Sequence, residues 1–438
     1  MKYLYNISPE SAYIRENVYI PKRNINSKML QESLTFDNGK DSILLYKDLK
    51  DHVMIPKYFI SRETLQKRFN IIDKTPTEFK KVKIKSSINF RNTLQEEAAQ
   101  AIKDSSGVLI LPCGTGKTVI SINEICQRRV PTVIVVNTEQ IMNQWMKAIE
   151  NFTNFKNIGI IRQNKLELEA DIVIASIQTL SKRRDKISDK DRKRFGLVIF
   201  DEVDETATLH YANTADIFMG DRLGLTATEK RRDGMHPIFR YHMGPILYRD
   251  ETFLMKPKIH YVYSFSKLLP KQYMYRNKTN YGRLFTEITK EEERNNLIEK
   301  LIKTKLEEGR KMLVLGERID QLKYFNKVFK DSGLCIHEVD VEKRLKYLKE
   351  KKAVFAIRRL SKRALDQVDL DTLIIIHPMT DEGGIRQAIG RICREHKDKK
   401  EPEVYVIYDI NVPPMEEMCG KMYKKLSDWD FEQVSVKL

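Results

Sequence analysis

The chain has little of what would staple it, anchor it or send it out of a cell. Only five cysteines occur in 438 residues, Cys113, Cys126, Cys335, Cys393 and Cys419, scattered and without a C-x-x-C pair. That spacing excludes a disulfide framework and offers no zinc or iron-sulfur ligand set, so buried thiols are expected. No apolar run reaches the length of about eighteen residues that crosses a membrane, and the opening MKYLYNISPESAYIRENVYIP lacks the apolar core of a signal peptide. A soluble, cytoplasmic protein is the expectation. Short-period repeats and low-complexity tracts are missing too. Acid is in deficit: 61 Asp and Glu stand against 78 Lys and Arg, a formal charge of +17. Such a balance points to a polyanionic partner, nucleic acid first and an anionic membrane surface second.

What is present is a rhythm. From about residue 106, short β-branched runs alternate with amphipathic helical stretches: Val108 to Leu111, TVIVV at 132–136, DIVIAS at 171–176, LVIF at 197–200 and RLGLTAT at 222–228. A second series runs through KPKIHYVYSF, KMLVLG, CIHEV at 335–339, AVFAI, DTLIIIHP and EVYVIYDI. Alternation of this kind predicts an α/β protein with two parallel sheets covered by helices. Residues 1–88 lack it and read as a small α+β accessory domain, leaving 89–252 and 253–438 as the two lobes.

The stretch GVLILPCGTGKTVIS opens the first lobe. A strict phosphate-binding loop reads G-x-x-x-x-G-K-[ST], and here Leu111 fills the first glycine slot. The remaining parts are in place: an apolar strand, a turn with Gly114 and Gly116, then Lys117 and Thr118 opening a helix. Backbone N–H groups of such a turn face a β-phosphate and the helix dipole adds to their pull. Lys117 suits the β- and γ-phosphates and Thr118 a Mg²⁺ ion. Taken alone, the octet could be an ordinary strand-turn-helix.

Eighty-four positions after Lys117, LVIFDEVDE ends an apolar run on Asp201 and Glu202. A carboxylate at a buried strand end can hold Mg²⁺, and its neighbour can orient and activate the water that attacks a γ-phosphate. Following a P-loop in the same lobe, the pair makes NTP hydrolysis the expected chemistry. GLTATEKRRDG places Thr226 and Thr228 at another strand end, where simple hydroxyl capping is the alternative. In IRQAIGRICRE, Gln387, Arg391 and Arg394 recur at helical spacing. That could be a solvated basic face, but arginine's planar fork also suits the charge of a transferring phosphoryl group.

In order and spacing, FRNTLQEEA, LPCGTGKT, NTEQIMNQW, ASIQTL, FDEVDE, LTAT, SKRALD and QAIGRICR resemble the successive motifs of superfamily 2 helicases, over residues 88–410. The branch they are most similar to holds phage fork-remodelling helicases such as UvsW, XPB-like helicases and helicases of large DNA viruses. The resemblance implies two RecA-like lobes with ATP and Mg²⁺ between them. It implies that Arg91 and Gln95 select adenine and that Pro112, Cys113, Gly114, Thr115, Gly116, Lys117, Thr118 and Val119 form the nucleotide cradle. Thr118 and Asp201 are then the metal residues. Gln387 bridges the lobes, Arg391 and Arg394 act as arginine fingers, and Thr226 and Thr228 couple hydrolysis to lobe movement. Thr138, Gln144 and Thr179 fall where first-lobe motifs touch the nucleic-acid backbone, and Asp366 where the second lobe links strand contact to ATP. Asp204 stands where this branch more often has His, and SKRALDQVD lacks the usual acid and glycine before Asp366.

The implied activity is ATP-dependent unwinding or remodelling of forked, branched or single-stranded DNA, 3′ to 5′, in replication, recombination or repair. The protein is expected to act as a monomer, with replication or recombination proteins as further partners and no membrane. Rivals are an RNA or transcript-release helicase, a P-loop phosphotransferase or transporter ATPase, and a basic binding protein with a decayed ATPase. Two basic runs stand out, residues 181–194 with a net of +5 and residues 343–363 with +9. Phosphate contact is assigned to part of the second, Arg358 and Arg359, although charge runs are usually solvated faces. In KQYMYRNKTNYGRLF, tyrosines interleave with basic residues, and this insertion or the tail around Trp429 is a candidate wedge at a junction.

Overall fold

The structure, a computed structural model, describes residues 10–37, 42–112, 114–204, 214–229, 234–253, 255–361, 369–394, 396 and 399–436. Cys113 and Asp366 lie outside the described residues, as does the side chain of Arg359. By its internal contacts the chain divides into two units, residues 1–111 with 116–251, and residues 252–438 with 112–115.

The larger sheet of the first unit has eight strands, in the order Lys165–Leu166, Ile158–Arg162, Ile172–Ser176, Thr132–Val136, Leu197–Phe200, Asp221–Thr226, Gly107–Ile110 and Ile246–Arg249. All pair in parallel except the short Lys165–Leu166. Period-two alternation sends Val133, Val135, Val173, Val198 and Phe200 into one core and Ile134, Val136, Ile174, Leu197 and Ile199 into another. Continuous β-branched runs are the sequence's way of covering a sheet buried on both faces. Ile158–Arg162 and Ile246–Arg249 were not expected as strands. One is broken by Gly159 and the other ends on Arg249, and both lie toward the sheet's margins, where half-exposed residues dilute the apolar signal.

The main sheet of the second unit has seven strands, all parallel, in the order Ser332–Cys335, Ala353–Ile357, Met312–Gly316, Thr372–Ile375, Glu403–Ile410, Lys258–Phe265 and Gln433–Val436. The expectation of a strand at 335–339 is corrected: the strand ends at Cys335 and the chain turns beyond it. Gly333 lets it pass against Tyr347, whose Cβ would lie 2.5 Å from a Cβ added there.

Residues 12–73 form a five-stranded sheet in the order Lys47–Asp48, His52–Pro56, Asn17–Pro21, Ala12–Ile14 and Ile71–Asp73, with helices Ser27–Leu34 and Arg62–Arg68 capped by Asn26 and Ser61. This α+β module shares a core with the larger sheet of its unit, since Val18, Ile20, Val53 and Ile55 cluster with Val135, Val173 and Phe200. Polar groups lock the junction as well. Asn17 Nδ2 donates to Asp216 Oδ2 at 2.9 Å, and Arg184 pairs with the same carboxylate. Burial would raise the Asp216 carboxyl, but Arg184 and Asn17 together hold it below its ordinary range. Arg222, fully buried, donates to the carbonyls of Glu16 and His242. Val82 and Ile84 already pack into the core beneath the P-loop strand. The described cysteines Cys126, Cys335, Cys393 and Cys419 are buried free thiols, and no helix among the described residues is long and apolar enough to cross a membrane.

Candidate active site

Three neighbouring strands of the first unit end together. Asp221–Thr226 lies between Gly107–Ile110 and Leu197–Phe200, so the P-loop, the Thr226-Ala227-Thr228 segment and Asp201 all emerge at the carboxyl edge of the sheet. Ligand sites of open parallel sheets form at that edge.

The missing glycine has a structural answer. Leu111 is fully buried and continues the strand, its N–H donating to Thr226 O at 3.0 Å. The left-handed residues of the loop are Gly114 (φ 87°) and Gly116 (φ 96°), and Leu111 is not among the non-glycine residues with positive φ. A side chain is therefore tolerated at 111 and strained at 114 and 116. Lys117, first residue of the helix Lys117–Arg128, is buried and its Nζ donates to Leu111 O at 2.8 Å. Thr115 Oγ1 donates to Pro112 O at 2.7 Å. Thr118 and Val119 follow, both partly exposed.

Gln95 sits over this loop. Asn92 caps its helix, Thr93–Ile102, and Gln95 Oε1 accepts from the Arg91 N–H at 3.0 Å. A Cβ added at Gly116 would lie 2.3 Å from Gln95 Nε2. The carboxamide is buried while Arg91 is exposed.

Asp201 follows Leu197–Phe200, its N–H bonded to Val135 O at 3.0 Å. Its Oδ1 accepts from the Glu202 N–H at 3.0 Å and its Oδ2 from Trp145 Nε1 at 2.7 Å. Burial pushes this carboxyl above its ordinary range, against the opposing pull of the Trp145 donor, the Lys117 charge and the Glu202 amide. Glu202 has φ 51°, a left-handed conformation that a glutamate adopts at a cost of about 1 kcal/mol or more.

Asp204 gathers the Thr-Ala-Thr segment. Thr226 Oγ1 donates to Asp204 Oδ1 at 2.6 Å and Thr228 Oγ1 to Oδ2 at 3.1 Å, all three residues being buried. The carboxylate standing where the resembling branch has His thus accepts from both hydroxyls.

Gln387 and Arg391 lie on the helix Glu382–Ile392 of the second unit and are buried, whereas Arg394, two residues past that helix, is half-buried. The preceding Arg386 turns toward the tail, its guanidinium 4.6 Å from the Trp429 ring centroid and 5.3 Å from that of Phe253. The half-buried Trp429 indole packs there against Phe253 and Phe431.

The residues assigned to nucleic-acid contact are placed as follows. Thr138 caps the helix Glu139–Phe152, its Oγ1 accepting from the Ile141 N–H at 3.3 Å, and Gln144 is half-buried on that helix. Thr179 is buried and its Oγ1 accepts from the Gln163 N–H at 3.0 Å. Arg358 is ion-paired with Glu317. Trp145 was not singled out from the sequence, although a rare tryptophan directly after Gln144 was a signal.

Residues 79–231 match the family model described as the res subunit of type III restriction enzymes. A putative ATP-dependent RNA helicase of Acanthamoeba polyphaga mimivirus is 27% identical over 318 residues, 70% of this chain and 60% of that protein. The DNA 3′-5′ translocase XPB2 of Sulfurisphaera tokodaii is 31% identical over 224 residues, 51% of this chain and 47% of its own length. A putative helicase of Invertebrate iridescent virus 6 is 26% identical across 89% of this chain and 92% of the viral protein. The chain thus spans only part of the first two. Among solved structures, S. cerevisiae Dbp5 bound to RNA and ADP BeF3 superposes with a TM-score of 0.57 at 12% identity, covering 78% of this chain and 89% of that one, a likeness of fold. Set beside the loop, strand ends and second parallel sheet described above, these likenesses make the chain similar to superfamily 2 helicases, with affinity to XPB-type and viral members.

Proposed function

We propose that this protein is an ATP- and Mg²⁺-dependent motor that moves 3′ to 5′ on DNA and unwinds or remodels forks and branched junctions. One observation carries the catalytic part: Lys117, the paired Asp201 and Glu202, and the Thr226–Asp204–Thr228 network lie at the ends of three adjacent strands. The residues fit a nucleotide polyphosphate. Gly114 and Gly116 are left-handed and a Cβ at Gly116 would collide with Gln95, so the backbone there is shaped for close approach. Lys117 is a buried ammonium bonded to a neutral carbonyl, ready to exchange it for an anion.

In this reading the cradle of residues 112–119 holds the phosphates, Gln95 with Arg91 reads the base, and Thr118 and Asp201 hold the cation. Bound Mg²⁺ supplies charge neutralisation at the phosphate oxygens. Glu202 orients the attacking water and takes its proton. Asp204 ties the Thr226 and Thr228 hydroxyls to the strand end that carries Asp201, so displacement of one is felt by the other. Arg391 and Arg394 are assigned as arginine fingers and Gln387 as the residue that bridges the lobes, and cycles of nucleotide binding, hydrolysis and release drive translocation. Thr138, Gln144 and Thr179 of the first unit, with Arg358 and Arg359 of the second, are assigned to the strand, and Asp366 to the coupling of strand contact to ATP.

The DNA assignment draws on the XPB2 relative and on the +17 charge. A second reading, an RNA or transcript-release helicase, draws on the mimivirus relative named as an RNA helicase. ATP turnover with no nucleic acid, forked DNA, single-stranded DNA and matched RNA forks decides between them. Stimulation and unwinding confined to DNA supports the first, and stimulation by RNA alone sinks it.

A further inference from the structure

Asp201 is gripped from a side that the motif pattern leaves unmarked. The helix Glu139–Phe152 buries Ile141, Met142, Trp145 and Ile149, and the Trp145 side chain is 1% exposed. Its Nε1–H donates to Asp201 Oδ2 at 2.7 Å while the Glu202 amide donates to Oδ1 at 3.0 Å. Topology brings the two together. The helix leaves the strand Thr132–Val136, Asp201 leaves Leu197–Phe200, and these strands pair in register with Val135 opposite Phe200. An aliphatic or phenyl side chain could fill the same core volume. Tryptophan adds a donor to that volume, and a buried indole N–H needs an acceptor.

We propose that Trp145 is a positioning residue of the hydrolytic site, its indole N–H fixing the rotamer of Asp201 so that cation affinity depends on a side chain rooted in the hydrophobic core. The inference rests on the reading of Asp201 as the carboxylate for the Mg²⁺ that accompanies ATP. A donor outside the coordinating set that orients a ligand carboxylate tunes affinity without touching the metal. Because Trp145 follows Gln144 on the helix capped by Thr138, any shift of that helix also moves the donor.

Trp145→Phe keeps an aromatic ring and removes the N–H. The Mg²⁺ concentration for half-maximal turnover is expected to rise by about 10-fold or more, with kcat falling and KM for ATP changing far less. A variant with unaltered Mg²⁺ dependence overturns the proposal. Since Phe could loosen the core, a second measurement leaves Trp145 in place. The chain has two tryptophans, so Trp429→Phe makes Trp145 the sole indole. Its emission is followed while Mg²⁺ is titrated in the presence of ADP. A Mg²⁺-dependent change that vanishes in Asp201→Ala supports the proposal. Constant emission, with Mg²⁺-dependent ADP binding normal by calorimetry, overturns it. Absence of Mg²⁺-dependent nucleotide binding by the unaltered protein instead sinks the reading of the site on which the proposal rests.

Discussion

At the scale of single residues, Glu202 and Asp204 separate chemistry from coupling. Glu202 holds φ 51°, and its proposed task needs the carboxylate. Glu202→Gln is expected to lower ATP turnover by about 100-fold or more while nucleotide still binds, as filter binding and steady-state kinetics can show. Glu202→Gly removes the same carboxylate and accepts the left-handed backbone freely. It should be more stable than Glu202→Gln by up to about 1 kcal/mol in denaturant melts. Asp204→Ala leaves the buried Thr228 hydroxyl without its acceptor and the Thr226 hydroxyl with the Thr228 carbonyl alone, at a cost of about 1 to 3 kcal/mol. Its kinetic signature would be DNA-stimulated turnover that no longer yields proportionate unwinding. A variant with unchanged stability and coupling would show that the network is incidental.

At the scale of elements, the insertion at 271–285, between the strands Lys258–Phe265 and Met312–Gly316 of the second unit, is more structured than its sequence suggests. Met274–Tyr275 and Lys278–Thr279 form a two-stranded hairpin turned by Arg276 and Asn277, both with positive φ. Tyr275 is 58% exposed with Arg276 over its ring, whereas Tyr273 is buried with Leu284 and Ile288. Excising 271–285 would remove part of that core, so the better test is Tyr275→Ala. It should reduce fork unwinding several-fold more than ATP turnover if the tip stacks on an unpaired base, a contact of about 1 to 3 kcal/mol. Equal losses would argue against that role.

The junction of the α+β module with the larger sheet of its unit gives a pH dependence. His242 is buried, and desolvation, aided by the Arg222 and Arg184 charges against that of Asp216, lowers its pKa from 6.5 to about 3. Between those values the unfolded chain binds the proton that the folded chain refuses, so stability rises with pH across the window. Each unit of acidification below about 6.5 is expected to cost up to about 1.4 kcal/mol, and nothing above it. His242→Leu should flatten that part of the profile in thermal melts.

At the scale of the whole molecule, charge governs the partner. A net +17 and strand contact through phosphates predict affinity for DNA that falls by about 10³-fold or more when salt is raised from about 50 to about 200 mM. ATP turnover without DNA should change little over the same range. A shallow salt slope in fluorescence anisotropy would argue for contacts dominated by bases instead.

The sequence by itself determined the parallel sheets, the P-loop and the acidic strand end, because each is a local pattern. Buried strands must be continuously apolar, the loop needs glycine only where φ is positive, and a carboxylate closing such a strand has few structural reasons to be there. It could not determine which strand lies between Lys117 and Asp201, that Asp204 accepts from both threonines, that Thr179 accepts from the Gln163 amide, or that an indole grips Asp201. Those are relations between residues 16 to 84 positions apart in the chain. Strand order and register fix such pairings, and neither is written in any local run of residues.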